Sequence, residues 1–240
     1  MLAPLRSPVV RLGLSVSLAT GLYGVSFGAL AVAAGLTIWQ TCALSLLMFT
    51  GGSQFAFIGT IAGGGGGMTA TLAATLLGVR NAVYGVSMNA RLRPSGWHRF
   101  VAAQLTIDES TAVGASQVEP VEVRRGFWTT GLGVFVLWNL FTLVGALVGA
   151  ALGDPRAWGL DGAAVAAFAG LLWPRLRRRE AGSVAVVCGL VTALATPFVP
   201  AGIPILAAAV VAVGWSLWGP GRSRPAHRPG RARPGRGRPR

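Results

Sequence analysis

The chain has 240 residues, 52% of them hydrophobic and only 12% charged, with a mean hydropathy of +0.59. Soluble domains carry about 25% charged residues, so a water-exposed surface cannot be built from this supply and an ordinary soluble enzyme is excluded. The net charge of +14 comes entirely from arginine, and eight of the 21 arginines fall in the last 22 residues. Removing those eight leaves +6, too little to argue for a nucleic-acid partner.

Spans of about 20 apolar residues cross a bilayer, and that rule predicts eight segments: 12–34, 38–62, 69–90, 101–118, 126–152, 157–174, 181–199 and 203–219. The expected fold is all-α, a polytopic membrane protein of 7–8 transmembrane or re-entrant helices. Residues 1–218 are expected to form a single membrane-embedded domain, followed by a disordered Arg/Pro/Gly-rich cytoplasmic tail over 219–240.

The first segment carries Gly21, Gly24 and Gly28 at helix-packing spacing. Its apolar stretch is too long for a typical signal-peptide core, so it reads as a retained helix. Gly24-x3-Gly28 and Gly145-x3-Gly149 are small-xxx-small pairs, read first as packing contacts. A faint similarity at an offset of about 117 relates Gly28–Val32 to Gly145–Gly149, the kind of internal repeat common in transporters.

The second segment contains Gly51-Gly52-Ser53-Gln54-Phe55 near its middle. Each glycine weakens a helix by roughly 1 kcal/mol relative to Ala, which predicts a broken helix. Freed backbone groups at that depth are tolerated only against a cavity or other protein. The pentaglycine run Gly63–Gly67 reads as a connector. The third segment carries Arg80, Asn81 and Tyr84, with Arg80, Tyr84 and Ser87 on one helix face. A guanidinium at that depth needs an anion or carbonyls; either an acid on another helix or a substrate carboxylate would serve.

The fourth segment holds Gln104, Asp108, Glu109 and Thr111, with Gln104, Asp108 and Thr111 expected on one face. Asp108 and Glu109 are the candidate proton carriers, and Asp108 is the natural partner for Arg80. Asn139 and Thr142 stand one turn apart in the fifth segment. Cys42 and Cys188 lie inside apolar runs as packing residues. No His, Cys and carboxylate spacing fits a metal site, so no catalytic residue, metal or cofactor is expected.

Orientation follows from arginine placement. With the N-terminus cytoplasmic and all eight segments crossing, 16 arginines lie inside and 4 outside, Arg80 being within a segment. The discordant loop is 91–99, with Arg91, Arg93 and Arg99 on the wrong side. That conflict points to 101–118, the shortest and most polar early segment, as one that dips in and returns. Arginine without lysine, alongside abundant Ala and Gly, suggests a GC-rich bacterial source, so the termini are expected in the cytoplasm and the chain in the inner membrane.

In order along the chain, these motifs resemble the AzlC family of branched-chain amino acid permeases. The residues carrying the resemblance are Tyr23 to Ala31 with Gly35, Gly51 to Phe55, Arg80 to Gly85, Leu105 to Glu109, Trp138 through Thr142 to Gly149, and Gly159-Leu160-Asp161 on to Leu172. The resemblance spans about residues 20 to 215. Three departures stand out. The family usually has Ala at Gly52, and Asn-Leu-Arg-His where this chain has Gly78-Val79-Arg80-Asn81. Its frequent Leu-Thr-Asp-Glu is interrupted here by Ile107.

What the resemblance implies is proton-coupled export of hydrophobic amino acids such as valine or leucine, often with a small AzlD-type membrane subunit as partner. On that reading Gly51, Gly52, Ser53, Gln54, Arg80, Asn81 and Tyr84 bind or pass the substrate, while Asp108 and Glu109 couple the proton. The alternatives are a transporter of another small solute and a non-transporting membrane scaffold or sensor.

Overall fold

The computed structural model describes residues 7–152, 179–199 and 203–218, with Ala169, Trp173 and Leu176 between them. Among the described residues all regular structure is helical: α1 (Pro8–Ala33), α2 (Ile38–Leu47), α3 (Gly52–Ala62), α4 (Gly67–Leu92), α5 (His98–Gln104), α6 (Asp108–Ala115), α7 (Pro120–Leu152), α8 (Arg179–Ala195) and α9 (Ile203–Trp218). Asp161, most of the predicted segment 157–174 and the tail 219–240 lie outside the described residues.

The centre of the fold is the pairing of α1 and α7, built on glycine. A Cβ added to Gly13 would lie 2.8 Å from Thr130 Oγ1, one on Gly21 2.5 Å from Leu137 Cβ, and one on Gly24 2.7 Å from the Trp138 carbonyl. Further along, Gly28 meets the Thr142 carbonyl and Gly149 meets Ala29. Residue numbers on the two helices rise together along this seam, so α1 and α7 are parallel. The offset of about 117 recurs as contact: Gly28 and Gly145 of the faint sequence similarity lie side by side. The glycines therefore serve packing within one chain, where small residues let backbones approach closely.

Segment 38–62 is corrected, whereas segment 101–118 turns back as expected and loses only its single helix face. Segment 38–62 breaks near Gly51 as expected but is no single crossing, because the chain reverses there and α2 and α3 run in opposite directions. Ser45 pairs with Thr142 and Phe49 with Phe135, so α2 runs antiparallel to α7. The Gln54 amide then reaches back to the Leu44 and Ser45 carbonyls. The reversal is made at Gly51, whose φ of +58° and ψ of −87° suit a residue without Cβ. The connector Gly63–Gly66 then turns the chain into α4, which runs antiparallel to α3.

Segment 101–118 is likewise two half-helices, so Gln104 does not share a helix face with Asp108 and Thr111. Leu105 packs on Gly131, whereas Val113 packs on Gly126 and Arg91 binds the Ala115 carbonyl. The chain thus climbs along α5 to a tip at Leu105–Ile107 and returns along α6. The Ser110 hydroxyl holds this tip, donating to the Leu105 carbonyl at 2.6 Å and accepting the Ile107 N–H at 3.1 Å. With the helix broken there, Ile107 belongs to the turn and imposes no rotation of the acids about a continuous helix.

The two hairpins enter from opposite ends of the α1–α7 pair, and their tips meet near the middle, at the level of Gly131 to Phe135 on α7. Polar side chains lie among the buried apolar core: Ser17, Thr41, Ser45, Gln54, Thr130 and Thr142 are fully buried. Large apolar ones cover the outside, among them Leu18 and Leu22 on α1, Val83 and Val86 on α4, and Leu140 and Leu147 on α7. So much contiguous apolar exterior exceeds what soluble surfaces carry. The helices α1 and α7, of 26 and 33 residues, are long and apolar enough to cross a membrane, and this exterior is consistent with one.

Candidate functional site

The hairpin tips and the middle of α4 carry the polar residues that the sequence singles out. At the first tip, α2 ends and α3 begins. The exposed carbonyls closing α2 are satisfied from both hairpins: Gln54 Nε2 donates to the Leu44 and Ser45 carbonyls at 3.4 Å, and Gln104 Nε2 donates to the Leu46 carbonyl at 2.8 Å. Gln104 thereby ties the second tip to the first, a role invisible in its own segment.

Arg80 stands near the middle of α4 and bridges both tips. Its Nη1 lies 2.9 Å from Asp108 Oδ2, and its Nη2 donates to the Thr50 carbonyl at 3.2 Å. The two charged side chains are 33% and 30% exposed, so this ion pair is not fully enclosed by protein. Removing one partner of a fully buried pair costs about 3–5 kcal/mol; partial exposure lowers that toward the roughly 1 kcal/mol of surface pairs.

Gly52 opens α3 directly beneath the guanidinium, and a Cβ there would sit 3.0 Å from Nη2. Asp108 is the first residue of α6, where a carboxylate complements the positive end of a helix. The N-termini of α3 and α6 both stand at the tips, so two helix dipoles and one guanidinium converge on one region. Such an arrangement holds an anionic group. Asp108 occupies it with one oxygen.

The pairing leaves much hydrogen-bonding capacity unused. Arg80 Nε, Asp108 Oδ1, Thr50 Oγ1, Ser53 Oγ, Gln54 Oε1, Asn81 Oδ1 and Thr111 Oγ1 are buried atoms without a hydrogen-bond partner among the described residues. Buried polar atoms are normally satisfied, and these seven belong to the tip residues and to α4, the elements that carry the partly exposed ion pair. Ser53 faces α4, 3.5 Å from the Cβ position of Gly78. Tyr84 follows Arg80 by one turn of α4, half-buried, and Glu109 follows Asp108 on α6.

Beside the tips lies an aromatic cluster from three helices. Tyr23 stacks on Phe55 at 5.1 Å and meets Trp138 edge-on at 6.0 Å, while Phe27 packs against Phe55 and Trp138. The Tyr23 hydroxyl and Trp138 indole N–H also lack partners among the described residues.

Sequence reading missed Thr50, because a backbone carbonyl leaves no trace in residue type; only the following Gly51-Gly52 hints at it. It also missed Tyr23 and Trp138 as neighbours of the site, since aromatic residues in apolar helices read as packing. Among the described residues no group of His, Cys, Asp and Glu could hold a metal ion.

No curated relative and no solved structure matches the chain. The AzlC protein family matches residues 15–152, which takes in more than half the chain and every candidate residue from Gly51 to Glu109. That family is of transporter type, with a membrane transport-related function, and is not an enzyme family. This chain belongs to the AzlC family.

Proposed function

We propose that the protein is a secondary transporter that exports branched-chain or similar hydrophobic amino acids across the bacterial inner membrane, coupled to protons. The observation that carries this reading is Arg80, held between two helix breaks by Thr50 and Asp108. A guanidinium with two helix N-termini aimed at its surroundings is suited to a substrate carboxylate. Gly51, Gly52, Ser53 and Gln54 supply the backbone and polar side chains of the first tip, Asn81 and Tyr84 flank Arg80, and Asp108 or Glu109 carries the proton.

The hairpin geometry supports a simpler topology than eight crossings. With α1, α4 and α7 spanning the bilayer and the two hairpins re-entrant, Arg91, Arg93 and Arg99 join Arg6, Arg11, Arg124 and Arg125 on one side. That removes the discordant loop and strengthens the positive-inside assignment of a cytoplasmic N-terminus. A small AzlD-type subunit is the proposed partner.

The test is efflux of a panel of radiolabelled amino acids from cells or vesicles, with and without a proton gradient. Gradient-dependent efflux of valine and leucine supports the reading, and no efflux of any amino acid in the panel sinks it. A second reading, transport of a different small solute, draws on Asn81, which stands where the family usually has His.

A further inference from the structure

Charge gathers at one end of the α1–α7 body. Arg91 near the end of α4 donates to the Ala115 carbonyl that closes α6, and the Ser7 hydroxyl before α1 donates to Glu122 in the first turn of α7. The ends of α4 and α6 and the starts of α1, α5 and α7 therefore share this end. It carries six exposed arginines, Arg11, Arg91, Arg93, Arg99, Arg124 and Arg125, against two acids, Glu119 and Glu122. At the opposite end α1, α3 and α7 finish and α2 and α4 begin, and residues 34–41, 62–71 and 145–152 there include no charged side chain.

Two of the six arginines are engaged, Arg91 by the Ala115 carbonyl and Arg125 by Glu122. No ion pair holds Arg93 or Arg99 among the described residues. These two flank the turn between α4 and α5, whose aromatic side chains stand clear of the protein: Trp97 is 66% and Phe100 80% exposed. The turn itself is fixed. Leu92 before it and Ala102 after it are buried in the core, and the Arg99 and Phe100 N–H groups donate to the Gly96 and Trp97 carbonyls. Arg93 adopts φ +46° and ψ +54°, a left-handed conformation that helix ends ordinarily leave to Gly or Asn because a Cβ strains it. The backbone gains nothing from arginine there, so the reason for it lies in the side chain.

From this arrangement we infer a binding site for an anionic phospholipid of the cytoplasmic leaflet. Its phosphate is held by Arg93 and Arg99, and its glycerol and upper acyl region rest on Trp97 and Phe100. The inference rests on the membrane topology proposed above and is independent of what is transported. Guanidinium forks match phosphate oxygens, and aromatic rings settle at headgroup level. A free phosphate would use the arginines and leave the indole and phenyl rings in water, whereas a lipid uses both. Trp39, 85% exposed at the uncharged end, has no arginine in the segments around it, and so fits a headgroup belt without regard to lipid charge.

The experiment holds the full chain in a neutral detergent and follows its thermal stability while one of three probes is added. These are dioctanoylphosphatidylglycerol, dioctanoylphosphatidylcholine and inorganic phosphate. Phosphatidylglycerol should raise the midpoint at concentrations where the other two do not. Arg93→Gly should raise the half-saturating phosphatidylglycerol concentration about fivefold, and adding Arg99→Gln about fivefold again, the effect of one arginine near an anionic lipid. Without lipid, Arg93→Gly should be as stable as wild type or more so, because glycine relaxes the left-handed position. If that variant does not fold, Arg99→Gln alone reads the same site. Arg124→Gln, at the same end, should shift the half-saturating concentration less than about twofold.

Equal stabilisation by the two lipids overturns the inference, as does a response to inorganic phosphate that matches phosphatidylglycerol. An Arg124→Gln shift as large as that of Arg93→Gly also overturns it, because only a diffuse field would then be at work. All three results leave the transport reading standing. Failure of the wild-type chain to insert into lipid vesicles, read from its extraction by alkaline carbonate, overturns both.

Discussion

Gly145 of α7 lies against the backbone of Val25 of α1 so closely that a Cβ on the glycine would overlap the Val25 carbonyl oxygen. The obstacle is main chain, so no side-chain rotation relieves it. Gly145→Ala should separate the helices and cost about 1–3 kcal/mol, as overpacking does. Thermal inactivation of the purified protein should move down by several degrees. Gly59→Ala, placed where nothing lies within 4 Å, should leave it unchanged or raise it slightly.

The two adjacent glycines at the first tip should respond differently. Gly51 adopts a left-handed φ, so Gly51→Ala carries about 1–3 kcal/mol of backbone strain and should lower folded yield. At Gly52 the new methyl meets only the flexible end of Arg80. Gly52→Ala should fold normally, and efflux kinetics would then show whether a small displacement of the guanidinium alters substrate affinity.

Arg80→Ala and Asp108→Asn, at wild-type expression levels, should each reduce gradient-driven leucine efflux at least about tenfold, the effect of roughly 1.4 kcal/mol. Arg80→Lys should rescue poorly, because a point ammonium cannot reach Thr50 and Asp108 in the geometry of a fork. Normal efflux by both Arg80→Ala and Asp108→Asn would sink the site assignment.

At the start of α7, Glu122 accepts a hydrogen bond from the Ser7 hydroxyl at 2.8 Å and pairs with Arg125. First the Ser7 bond and then Arg125 hold its carboxyl below the usual 4.5. A depressed carboxylate stabilises the fold above its unfolded pKa and loses that contribution as pH falls through the folded value. Wild type should therefore lose more thermal stability than Glu122→Gln when the pH is lowered from neutral to below about 4.5. Equal losses would show that the tie between Ser7 and α7 contributes nothing.

Apolar runs made the helices legible, and the scarcity of charge picked out Arg80 and Asp108 as the pair to examine. Direction was harder to read. A hydropathy window registers that 38–62 and 101–118 are apolar but not whether the chain continues or turns back at Gly51 or Ile107. The arginines of 91–99 held that information as a conflict of charge, since a re-entrant 38–62 puts them with Arg6 and Arg11 and a re-entrant 101–118 keeps Arg124 and Arg125 beside them. Contacts made through backbone atoms, such as Thr50 with Arg80 or Leu46 with Gln104, carry no sequence signature of their own.

The long separation between α1 and α7 also bears on how the protein is made. During synthesis α1 emerges first, with its glycine face cut to fit a helix that begins at Pro120. At roughly 5–20 residues per second, the ribosome needs on the order of ten seconds to deliver that partner. Throughout this interval α1 must be shielded by lipid or by an insertion factor. A nascent chain halted before Pro120 offers the quality-control machinery of the cell an unmatched glycine seam.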